Sequence, residues 1–142
     1  MRWTVPVAVC MLLFASSIQA KDCSPTDAEA ADEAVDHLTT WQDVSENFTR
    51  YGQCDDGDIA EGNSEAVIRL LVDKWKTLPE LNSLTQKNPI FGEWVINHID
   101  STLDSNDLQK AADLAITQCP VSNTVLCQQI ATAAKLAIED NE

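Results

Sequence analysis

Residues 24–52 read SPTDAEAADEAVDHLTTWQDVSENFTRYG. Ser24, Pro25 and Asp27 together form a helix start: a capping hydroxyl, a proline at the first helical position and an acid in the first turn. From there Ala28, Ala31, Val35, Leu38, Trp41, Val44, Phe48 and Tyr51 recur at steps of three and four. That spacing lines one face of an α-helix. The stripe predicts a helical region of about six turns, with a kink available where the β-branched Thr39 and Thr40 meet and an end at Gly52.

The same period continues downstream. Asp58, with Glu61 three residues on, is an acidic capping box; it opens a helix whose buried face is Ile59, Val67, Leu70, Leu71, Trp75 and Leu78. Gly62 inside that pattern marks either a close helix contact or a later start at Asn63-Ser64. Pro79 stops the run and opens a short helix with Leu81 and Leu84. Asn88-Pro89 repeats the cap-then-proline signal before Ile90, Phe91, Trp94, Val95 and Ile99. Another helix starts at Ser105 and closes at Cys119-Pro120, and Ser122 or Asn123 leads into the last. No run of alternating β-branched residues reaches four positions, so strands are not expected. The fold class is all-α: a single small helical-bundle domain of five to seven helices, stapled by two disulfides.

Upstream, Met1-Arg2, an apolar run from Trp3 to Ala15 and small residues around Ser16, Ser17 and Ala20 follow the order of a secretory signal peptide. Residues 1–20 are therefore expected to be removed, and residues 21–142 to form the exported domain, secreted or periplasmic. No other stretch approaches the ~20 apolar residues of a membrane span. Cys10 leaves with the leader. Cys23, Cys54, Cys119 and Cys127 remain, an even set that reads as two disulfides in an oxidising compartment. Pro120 breaks the chain between two helical patterns and brings Cys119 and Cys127 together, leaving Cys23 for Cys54.

The chain carries 23 acids against nine Lys and Arg, a formal charge of −14. Such a balance excludes nucleic acid, which needs clustered cations, and an anionic membrane surface. The charge is uneven: residues 21–61 hold twelve acids against Lys21 and Arg50, a net of −10. Asp27, Asp32, Glu33 and Asp36 cover the first helix outside its apolar stripe, an acidic interaction face that would steer a basic protein partner. The same charge also serves solubility alone.

Chemical motifs are few. Asp55-Asp56-Gly57-Asp58 invites a Ca²⁺ reading, but an EF-hand loop started at Asp56 would place Glu61 sixth and Val67 twelfth instead of Gly and Glu. Only His37 and His98 are histidines. His98 and Asp100, two apart, would point to different faces of a helix. No nucleophile elbow, zinc pair or phosphate loop occurs, so no catalytic residue, metal or cofactor is assigned. A hydrolase using paired carboxylates is the last of the functional readings. Trp41, Trp75 and Trp94 each fall on an apolar stripe. They are core anchors or, alternatively, the lining of one cavity for a small apolar ligand. Asn47-Phe48-Thr49 is a glycosylation acceptor tripeptide. In general character, exported, helical and acidic with two disulfides, the chain is similar to small periplasmic immunity and inhibitor proteins. The leading expectation is thus a non-enzymatic binding protein acting on a basic protein, with an apolar-ligand carrier second.

Overall fold

The computed structural model describes residues 21–141; the leader read at 1–20 lies outside the described residues. Seven α-helices are formed: α1 (Pro25–Val35), α2 (Trp41–Tyr51), α3 (Gly57–Asp73), α4 (Leu78–Lys87), α5 (Pro89–Asn97), α6 (Ser105–Thr117) and α7 (Thr124–Glu139). Among the described residues there is no strand.

The long N-terminal stripe divides in two. Ser24 Oγ accepts from the Asp27 amide as α1 begins. At the second start, Thr40 Oγ1 accepts from the Asp43 amide while the Asp43 carboxylate accepts from the Thr40 amide. This capping box satisfies amide groups that a continuous helix would otherwise bond internally, so the kink available at Thr39-Thr40 is realised as a full break. Lys74 Nζ then donates to the Thr39 carbonyl at 2.6 Å, fixing the α1–α2 link against the end of α3. The next helix starts one residue ahead of its acid pair. Asp56 caps it, and Gly57, at φ +53°, takes the left-handed conformation that only a residue without Cβ adopts at low cost.

α3 is the central helix. It buries Asn63, Ser64, Ala66, Val67, Ile68, Leu70, Leu71 and Val72, most of its circumference, because α1, α2 and α6 all pack on it. Gly62 lies inside it and faces α1: a Cβ there would sit 2.8 Å from Val35 Cγ2. Close helix contact is therefore its role. α6 and α7 form a hairpin closed by Cys119–Cys127, and small residues (Ala111, Ala112, Ala115 on one side, Ala131, Ala134 on the other) suit a close approach of the two axes. Cys23–Cys54 ties the segment before α1 to the turn before α3. Both expected pairings are formed. No helix among the described residues is long and apolar enough to cross a membrane.

The tryptophans anchor this frame through both ends of the indole. Trp41 is 1 % exposed and its Nε1 donates to Thr77 Oγ1. Trp75 donates to the carbonyl of Gln118, one of the carbonyls left unpaired where α6 ends. Burying each apolar face contributes roughly 1.5–3 kcal/mol, and the N–H bonds remove the penalty of a dry donor.

Candidate functional site

Asn63 and Ser64 lie one turn before Val67 and Ile68, on the buried side of α3. Two polar residues on that face must find partners inside the protein, and around them the fold assembles a continuous polar line. α5 ends at Asn97, so His98 and Asp100 do not share a helix; they lie in the 98–104 link, and both reach Ser64. The expectation that they would diverge on a helix fails because the helix stops before them. Ser64 Oγ is 2.7 Å from His98 Nδ1 and donates to Asp100 Oδ2 at 2.8 Å. His98 Nε2 is 2.9 Å from Asp55 Oδ2. The Ser64 hydroxyl thus bridges the His98 ring and the Asp100 carboxylate, while the other ring nitrogen faces Asp55.

Asp55 is the acceptor hub. Its Oδ2 also accepts from Trp94 Nε1 at 2.7 Å, and its Oδ1 accepts from Asn63 Nδ2 at 2.9 Å. Burial raises its carboxyl pKa, but the bonds from His98, Asn63 and Trp94, with the charge of His98, outweigh that and hold it below the ordinary range. Beyond Asn63 the line ends at Asn47, whose Nδ2 donates to Asn63 Oδ1 at 3.0 Å. Asn47, the acceptor of the glycosylation tripeptide, is 6 % exposed. Phe48, Phe91 and Trp94 cluster against one side, and the Trp94 ring meets the His98 ring edge-on at 4.1 Å.

A serine, a histidine and an aspartate in contact match a nucleophilic triad in composition only. Ser64 is 1 % exposed and gives its hydrogen to a second carboxylate, whereas a nucleophile must face substrate and give its proton to the imidazole. The arrangement instead fastens the Asp55 turn, α3 and the 98–104 link together. Its one trace in the sequence is the Asn63-Ser64 pair inside an apolar stripe.

Asp100 also belongs to the surface. It lines a solvent-open groove of about 570 Å³ between the 96–101 segment and α7. The apolar walls are Ile96 and Ile99 on one side and Val125, Ala133, Leu136 and Ala137 on the other. None of Trp41, Trp75 and Trp94 lines it. The chain matches no known protein family, no curated protein and no solved structure.

The acidic candidates stand apart from this groove. Asp32, Glu33 and Asp36 are exposed on and just after α1, and Asp27 is half-buried in its first turn. The Gly62–Val35 contact sets this end of α1 beside the opening turns of α3, which carry the exposed Asp58 and Glu61. Of the twelve acids in residues 21–61, nine are exposed; among the described residues only Asp55 of the twelve makes an ion pair. Among the described residues no three His, Cys, Asp or Glu side chains gather so as to hold a metal ion.

Proposed function

We propose that this is an exported, non-enzymatic binding protein whose partner is a protein with a basic surface, in the manner of an inhibitor or immunity protein. One observation carries the reading: the carboxylates of Glu29, Asp32, Glu33 and Asp36, with Asp58 and Glu61 at the start of α3, are exposed, of one sign and not neutralised by neighbouring cations among the described residues. Charges already paired within a fold contribute little outside it; unpaired ones project a field that raises the encounter rate of an opposite partner. The Cys23–Cys54 bridge holds that face on the central helix, so binding need not order it first. Export accounts for the leader and for the oxidising compartment that disulfides require.

The test is kinetic. The basic polypeptide that copurifies with the native protein is bound to wild type and to the triple variant Asp32→Lys, Glu33→Lys, Asp36→Lys. The association rate should fall about tenfold or more on reversal, and fall with added salt as the Debye length shrinks below ~8 Å. An unchanged rate for the triple variant removes this face from the function. The second reading, a carrier of a small apolar ligand, draws on the groove, whose volume lies within the ~300–1,000 Å³ of small-molecule sites. It places the ligand against α7 and not among the tryptophans.

A further inference from the structure

α7 has two working faces. Leu126, Ile130 and Ala134 point into the core, while Val125, Thr132, Ala133 and Leu136 line the groove. The lining continues along α7 to Asp140, fifteen residues from Val125 and so about 22 Å at the helical rise. Val125 is 70 % and Leu136 55 % exposed. They stand eleven residues apart, three turns on one stripe, with the small Thr132 and Ala133 between them. Such a stripe, apolar at both ends, flat in the middle and uncovered, is the shape of a helix-packing face without its helix. Its charge is also of one sign: Asp100 and Asp140 are in the lining and no Lys, Arg or His is.

We propose that the groove takes an amphipathic helix of about four turns presented by the basic partner, a proposal that rests on the function proposed above. The helix lays apolar residues spaced at i, i+3, i+4 and i+7 on Val125 and Leu136, and its flanking Lys or Arg face Asp100 and Asp140. Charge complementarity selects this occupant. A second copy of the chain, carrying the same −14, would be repelled, and a small apolar ligand would leave one side in water along an open groove. The acidic face of α1 then speeds encounter, while the groove sets how long the complex lasts.

The experiment uses the disulfide-intact protein and two synthetic helices of fifteen residues, one of Leu and Lys and one of Leu and Glu in the same pattern, titrated at physiological salt. The groove variant is Val125→Ser with Leu136→Gln, which removes two apolar anchors at exposed positions without changing charge; its fold is checked by circular dichroism. The Leu/Lys helix should bind wild type and bind the groove variant at least tenfold more weakly, and the Leu/Glu helix should not bind. The α1 triple variant should keep the wild-type dissociation rate within about twofold. Equal binding to the groove variant overturns the proposal, because the helix then sits elsewhere. Equal binding of the Leu/Glu helix, displacement by a fatty acid, or a protein dimer that the groove variant abolishes overturns it in favour of another occupant. If the native basic partner binds the groove variant normally yet loses association rate with the α1 variant, the groove fails and the proposed function stands.

Discussion

Asp55→Asn changes almost no volume and removes one charge, so it isolates what the polar line contributes. The replacement amide can be accommodated: its NH₂ faces Asn63, which flips to accept, and Asn47, whose Oδ1 has no partner, flips in turn to accept from Asn63. The oxygen of the introduced amide then still accepts from Trp94 and His98, but the flipped Asn47 turns its NH₂ into the buried position where its Oδ1 has no partner, so one donor is left unpaired there. What is lost is the charge behind three bonds, from Trp94, His98 and Asn63, at 2.7, 2.9 and 2.9 Å. A bond to a charged group is worth ~1.5–3 kcal/mol and a neutral one ~0.5–1.5, so three such bonds and one unpaired donor should make the variant less stable by about 3 kcal/mol or more at neutral pH. The pH dependence follows from the sign of the shift. Asp55 is held below its ordinary value, which is ~3.9. Its contribution is therefore complete above that value and is lost as pH falls through the lower native one. The difference between wild type and variant should shrink toward zero over that descent. Urea unfolding followed by far-UV circular dichroism, with disulfides intact, measures both. A neutral-pH difference under about 0.5 kcal/mol, or one that persists unchanged at the acid end, would refute the assignment of Asp55 as a charged hub.

Three further outcomes follow from packing, chain entropy and burial. Gly62→Ala gains ~1 kcal/mol of helix propensity but sets its Cβ at 2.8, 3.0 and 3.2 Å from three atoms of the branched Val35; overpacking costs ~1–3 kcal/mol, so the variant should be destabilised by about 1 kcal/mol, and pairing it with Val35→Ala should reverse the sign in a double-mutant cycle. Replacing Cys23 and Cys54 by Ala opens a 31-residue separation and should cost about 3.7 kcal/mol on chain entropy. The 8-residue separation of Cys119 and Cys127 should cost about 2.5 kcal/mol, and a reversed order in denaturant unfolding contradicts the calculation. Peptide mapping of folded protein made in glycosylating cells should find Asn47 unmodified, because its Nδ2 is engaged with Asn63; a glycan there on folded material contradicts the burial.

The elements that could be read in advance are those whose causes are local. The Ser24-Pro25 and Asn88-Pro89 starts depend on a cap and the proline next to it, and both caps are made. The disulfides followed from Pro120 and from elimination among four cysteines. The break at Thr39-Thr40 was readable only as a kink, since the apolar stripe runs through it and the capping box of Thr40 and Asp43 decides the matter. Of the polar line the sequence carries only one trace, the Asn63-Ser64 pair, and none of its partners. Asp55, Ser64, His98 and Asp100 are brought together by the packing of α3 on the 98–104 link, across separations of 34 to 43 residues, and no spacing rule spans them. The groove on α7 escaped for a related reason. Val125 and Leu136 lie off the buried stripe of Leu126, Ile130, Ala134 and Ala137, where a single apolar side chain on a helix flank carries no signal, and only the placement of α5 and α6 shows that this flank is left uncovered.

Native mass spectrometry of the protein drawn from the cells that make it, disulfides intact and in low salt, bears most directly on its function. A binding protein for a basic partner should arrive joined to a second polypeptide of high isoelectric point, and the complex should come apart as salt is raised. A bare chain under those conditions, or one carrying only an added mass of a few hundred daltons, would contradict that account.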